Sequence, residues 1–140
     1  MKNLKFAVLT MAAAVLLTAL PAMAHHSFTA VFDFSKPVTL HGTVVSFEFI
    51  NPHGWVTLDA KKDDGTTERW RVEVSNPNQL LREGWRKDIL KPGDTITIDA
   101  YRAKDGTNTG NGRSFTLADG RKLFSPGGPD SPDNQATKQQ

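Results

Sequence analysis

The chain has 140 residues, 17 Lys+Arg against 15 Asp+Glu for a formal charge of +2, 38% hydrophobic residues and no Cys. That length suits one domain, since domains run roughly 100–200 residues. The lack of Cys excludes a disulfide scaffold, a thiolate zinc site, an iron–sulfur cluster and a Cys nucleophile.

Met1 to Ala24 opens with Lys2 and Lys5, continues as an apolar stretch from Phe6 to Leu20, and ends Pro21-Ala22-Met23-Ala24. A positive start, a hydrophobic middle and an A-x-A box predict a cleavable secretory signal. The apolar run, about 15 residues, falls short of the roughly 20 that span a bilayer. No stable membrane insertion is expected after cleavage, and the style of the signal points to the periplasm. Lys2 and Lys5 leave with it, so 15 Lys+Arg then face 15 Asp+Glu and the mature chain is close to neutral. Nucleic-acid binding needs a net basic footprint or stripe, and none is expected here. Met1, Met11 and Met23 all lie in the signal, so a Met-rich copper(I) site is excluded as well.

His25 to Pro37 is predicted as an extended arm pinned by Phe28, Phe32 and Phe34. The domain proper is expected over 38–124. Val38 to Ile50 reads as one long strand in which Val38, Leu40, Gly42 and Val44 share a face before the apolar set shifts to Val45, Phe47 and Phe49. A one-residue shift flips the face, so a bulge is expected after Val44. Trp55 to Lys61 is a second strand, Asp64-Gly65 a hairpin turn, and Trp70, Val72 and Val74 mark a third. Asn76-Pro77 predicts an N-cap and first helical position, Gly84 a stop, with Leu80 and Leu81 buried between them. Trp85 to Leu90 reads as a further helical turn or a packed loop. A turn at Lys91-Pro92-Gly93-Asp94 leads to a fourth strand through Ile96, Ile98 and Ala100. Arg102 to Arg113 reads as a Gly/Asn/Thr-rich loop, and Phe115 to Phe124 as a closing hairpin about Asp119-Gly120. The tail, 125–140, is polar and Pro/Gly-rich and is expected to be disordered.

The fold class that follows is all-β with one short helix. Three meander strands, a helix between strands 3 and 4, and two more strands match an OB-like five-stranded small barrel, with a small open sandwich as the alternative.

Chemistry concentrates in two places. Cleavage after Ala24 sets His25 at the new N-terminus, where its α-amine and ring nitrogen chelate one ion; cleavage one residue earlier puts His26 third, in a Cu(II)- or Ni(II)-binding tripeptide. Such nitrogen donors suit Cu(II) or another divalent metal. A His pair after a cleavage site is equally a polar start that frays. The second place is Asn51-Pro52-His53-Gly54-Trp55, in the loop that OB barrels combine with the fourth-to-fifth strand loop to hold ligands. Asn-Pro and Gly are also what a tight turn requires, and Trp55 also fits a rim aromatic. His41 lies among Thr39 and Thr43 and reads as a surface residue. No carboxylate pair has a spacing that forces acid–base geometry, and no G-x-S-x-G elbow surrounds Ser27 or Ser46, so no catalytic residue is assigned. Arg69, Arg71, Arg82 and Arg86 read as solvated faces.

Ala24-His25-His26-Ser27-Phe28, Asn51-Pro52-His53-Gly54-Trp55, Asn76-Pro77-Asn78, Gly84-Trp85, Lys91-Pro92-Gly93-Asp94 and Asp119-Gly120-Arg121-Lys122-Leu123-Phe124 follow in that order. This ordered set resembles an exported bacterial family of the domain of unknown function 6152 type. The resemblance implies an exported β-rich domain and carries no established activity. The expected function is thus a non-enzymatic periplasmic binding module. Its face is built from the His25-His26 arm, the Asn51, His53 and Trp55 loop, and the Arg102–Arg113 loop. In its sharper form, His25, His26 and His53 hold Cu(II) or another divalent metal. The alternative is a metal-free module in which the barrel face around Trp55 takes an envelope protein or a small ligand.

Overall fold

A computed structural model describes residues 28–127 and residue 131. The predicted signal and the His25-His26 pair lie outside the described residues, as does most of the predicted tail. The fold is all-β. Six strands, β1 (Phe32–Glu48), β2 (Gly54–Lys61), β3 (Thr67–Val74), β4 (Thr95–Ala103), β5 (Thr109–Leu117) and β6 (Lys122–Phe124), are joined by two short helices, α1 (Phe28–Val31) and α2 (Pro77–Arg82).

The strands run in the order β3-β2-β1-β4-β5-β6, and a parallel pairing of β3 with β5 closes the first five into a ring. Closure rests on Arg71, Val72 and Glu73 opposite Thr109, Gly110 and Asn111. Ring order, parallel closure and a helix between β3 and β4 together are the OB-like arrangement that the sequence predicts. Two details differ: β6 is a sixth strand added beside β5, and α1 is a second helix ahead of β1.

β1 makes the ring possible because it serves two partners. Phe32 to Thr43 pairs with β4, and Gly42 to Glu48 pairs with β2. The register jumps between Val44 and Ser46, so the predicted bulge is present where β1 turns from one partner to the other. The turn before β4 clasps this bulge: Val44 N donates to Asp94 O at 2.8 Å and Gly93 N donates to Val44 O at 2.9 Å. Gly42 is paired on both sides, with Ala60 and with Ile96. A Cβ there would lie 2.3 Å from the Asp59 carbonyl oxygen. Only glycine permits so close a backbone crossing.

The strand begins at Phe32 rather than Val38, because Phe32 is buried with Tyr101 and Ala103, and Phe34 meets Tyr101 edge-on at 5.0 Å. Of the predicted arm, residues 32–37 are therefore strand and Phe28–Val31 is the short helix α1. The Arg102–Arg113 segment is likewise a loop only over 104–108. Gly110 and Gly112 are strand residues: a Cβ on Gly112 would strike the Phe115 ring, so poor strand formers sit there for want of space.

Inside the ring, Val44, Val56, Leu58, Val72, Val74, Ile98 and Phe115 are at most 2% exposed. Fully burying one such aliphatic side chain contributes roughly 1.5–3 kcal/mol. Helix α2 and the segment after it cap this core. Asn76 Oδ1 accepts from Gln79 N at 3.1 Å, Pro77 holds the first helical position, and Leu80 is fully buried. Leu81, expected inside, is 44% exposed, since on so short a helix only one of two adjacent residues faces the barrel. Trp85 seals the end, meeting Phe115 edge-on at 4.9 Å while its indole N–H donates to Phe124 O at 2.8 Å. Beyond Phe124, Ser125 and Pro126 are docked: Ser75 N donates to Ser125 Oγ at 2.9 Å, and Ser75 Oγ donates to the Pro126 carbonyl.

Gly42→Ala should lower the unfolding free energy by about 1–3 kcal/mol, the usual range for forcing an extra methyl into packed surroundings. A urea titration read by tryptophan fluorescence checks this; a midpoint equal to that of the parent would contradict the crossing described above.

Candidate functional site

Alternation along a half-buried strand sends every second residue outward. On β2 these are Trp55, Thr57 and Asp59, and on β3 they are Arg69, Arg71 and Glu73. Register then decides the neighbours. Trp55 lies opposite Glu73 on β3 and opposite Glu48 on β1, so the indole is flanked by a carboxylate on each side. Arg71, one outward position along from Glu73, lays its guanidinium over the indole, with Cζ 4.1 Å from the ring centroid. An Arg Nη of the same side chain reaches Glu48 Oε1 at 3.6 Å. A cation over an aromatic face is worth about 0.5–1 kcal/mol at exposed sites. The contact therefore orients Arg71 without locking it.

His53 joins from the loop. Its Nδ1 lies 3.5 Å from Glu73 Oε1, with the imidazole 45% exposed and the carboxylate only 18% exposed. Burial lifts the Glu73 pKa above the ordinary glutamate value, and the nearby His53 charge works in the opposite direction. Burial dominates because most of the carboxylate's hydration is lost. In the loop, Gly54 N donates to Ser75 O at 3.2 Å and the peptide bond between Asn51 and Pro52 is cis. Asn51 is exposed at its outer edge.

The predicted second loop borders the same surface. Arg71 N donates to Asn108 O at 3.0 Å, and Arg102 holds the 104–108 loop by donating to Gly106 O at 3.0 Å and Asn108 Oδ1 at 3.2 Å. Helix α1 meets this loop, with Lys104 N donating to Val31 O at 2.9 Å and Lys104 Nζ to Thr29 O at 2.6 Å. The structure thus sets His53 and Trp55 beside the same Glu73 and joins that surface to the 104–108 loop through Arg71, while Asn51 is exposed in the loop before His53. Of the three predicted metal ligands, His53 faces Glu73, while His25 and His26 lie outside the described residues. Among the described residues no group of three or more His, Cys, Asp or Glu side chains could hold a metal ion.

Reading from sequence missed Arg71, Glu73 and Glu48, having treated Arg71 as part of a solvated face. The signal was present. The hairpin about Asp64 and Gly65 folds symmetrically, which alone sets Trp55 opposite Glu73. His41, by contrast, is exposed on the outside of β1, with its Nδ1 3.0 Å from Thr97 Oγ1 and away from this cluster.

The raised Glu73 pKa gives a signed prediction. A folded-state pKa above the unfolded one means that the folded state binds the proton more tightly. Ionised Glu73 therefore costs stability above its raised midpoint, and the cost disappears as pH falls to the ordinary glutamate range. Glu73→Gln should be more stable than the parent at neutral pH, with the difference shrinking on acidification. Denaturant midpoints of both proteins across that range check this; a difference that grows on acidification would contradict it.

No curated protein and no solved structure shows significant similarity to the chain. Among the described residues no helix is long and apolar enough to cross a membrane. A family model does match, over residues 13–113, which include β1 to β4, α2, the loop with His53 and Trp55, and most of the way along the ring to β5. The chain belongs to DUF6152, a family of unknown function.

Proposed function

We propose that this protein is a non-enzymatic binding module of the periplasm, exported by cleavage of its first 24 residues. Its ligand face is the outer surface of β2 and β3 between the 49–53 and 104–108 loops. The observation that carries this reading is the Trp55–Arg71 stack at 4.1 Å, set between Glu48 and the His53–Glu73 pair. A structural Trp finishes inside the barrel, as Trp70 and Trp85 do at 2% and 0% exposure. Trp55 instead stays on the outer face, ringed by side chains that donate and accept hydrogen bonds. Such a mix of one aromatic and a few polar groups is what fixes and orients a bound partner. No nucleophile is positioned by a recognisable motif, which favours binding over catalysis.

The metal version draws its ligands from His25 and His26, with His53 as the third. Titrating the chain from His25 to Gln140 with Cu(II), followed by visible absorbance, tests it separately. Equal uptake by the parent, His25→Ala and His53→Ala would end it.

The face itself is tested by NMR. Adding a soluble periplasmic extract to isotope-labelled protein should shift the amide signals of Trp55, Arg71, Glu73 and Asn108. Trp55→Ala, a change on the outer surface, should abolish that response while still unfolding cooperatively. Shifts confined to the outside of β1 and β4, or an undiminished response in Trp55→Ala, would overturn the reading.

A further inference from the structure

We infer that the face around Trp55 takes an uncharged oligosaccharide, an inference that rests on the binding-face reading above and names its ligand class. Charge is the first argument. Two carboxylates, Glu48 and Glu73, stand against the Arg71 guanidinium and the His53 imidazole, and the next row outward pairs Arg69 with Asp59 at 2.9 Å. Each of these three cations has an acidic partner. A polyanion needs an unopposed basic stripe, and a polycation needs unopposed carboxylates; neither is offered. The mature chain as a whole is balanced in the same way.

Hydrogen-bonding capacity is the second argument. A sugar hydroxyl both donates and accepts, so its site must supply both functions side by side. Here Arg71 donates, Glu48 and Glu73 accept, and all three surround one indole, while Asn51 is exposed in the loop ahead of it. The indole supplies the third requirement, an apolar plane against which the C–H face of a pyranose ring can pack. Arg71 covers that plane in the free protein, but its side chain is 51% exposed. It is free to swing to the rim and donate to a hydroxyl there. Thr57, Asp59 and Arg69 extend the outward surface along β2 and β3 beyond Trp55, which suits several linked rings better than a single small molecule. OB-type barrels use this strand face and these loops for oligosaccharides and oligonucleotides, and the charge balance selects the former.

The probes are cellohexaose, chitohexaose and maltohexaose, with a heparin fragment and a short polylysine as charged controls. Each is titrated into labelled protein up to about 10 mM, where even millimolar binding registers. At least one neutral hexasaccharide should shift the Trp55 indole N–H and the amides of Glu73 and Asn108. Trp55→Ala should weaken that binding at least ten-fold, and Trp55→Phe, which keeps an aromatic plane, should weaken it less. Binding of only a charged control, sugar-induced shifts elsewhere on the barrel, or no response to any hexasaccharide would each overturn the inference. If the sugars fail while the periplasmic extract still moves the Trp55 signals, the ligand class falls and the binding face stands. If neither moves them, both fall.

Discussion

Three residue pairs turn a meander into a barrel. Without Arg71, Val72 and Glu73 lying parallel to Thr109, Gly110 and Asn111, β3 would be a free edge and the six strands an open sheet. Closure removes that edge, which would otherwise be a template for pairing with another chain. It also fixes the direction of every side chain on β3. Val72 is driven inside, so Arg71 and Glu73 must point out, and the register with β2 sets them beside Trp55. The candidate face is thus a consequence of closing the ring. The same closure brings the 104–108 loop to the Arg71 backbone.

Closing five strands over so short a chain demands that one strand bend sharply and serve two neighbours. β1 does so with a glycine at the crossing and a bulge two residues later, clasped by the turn before β4. The far end is then sealed by Trp85, whose indole N–H is satisfied by the Phe124 carbonyl, leaving its rings free to pack on Phe115 and Phe47. Two tryptophans are thereby committed to the interior and one is left out. This division of labour separates a structural use of tryptophan from a use at the surface. Around Trp55, the Arg69, Arg71 and His53 side chains each face a carboxylate, so the face presents polarity with its charges paired.

Much of this was legible in the residues. Short-range chemistry carries its own signature: the Asn76-Pro77 cap, the Asp64-Gly65 turn and the phase change after Val44 all appear where the sequence places them. The OB-like ring followed from element order. What escaped reading depends on contacts between distant segments. Gly110, Asn111 and Gly112 have loop composition but are strand residues, because β3 and Phe115 crowd them from both sides. Phe32 extends β1 because Tyr101 and Ala103 lie across from it. The role of Arg71 needs the β2–β3 register, and Leu81 faces solvent for the tertiary reason that the barrel meets only one side of α2.

Ring closure holds Arg71 over an outward Trp55. The proton NMR shifts of the Arg71 side chain test it most directly, because a ring current displaces nuclei that sit above an indole. Arg71 methylene and Nε signals should lie strongly upfield, with nuclear Overhauser contacts to the Trp55 ring, and should return to ordinary positions in Trp55→Leu. Ordinary shifts in the parent, with no contact between the two side chains, would contradict it.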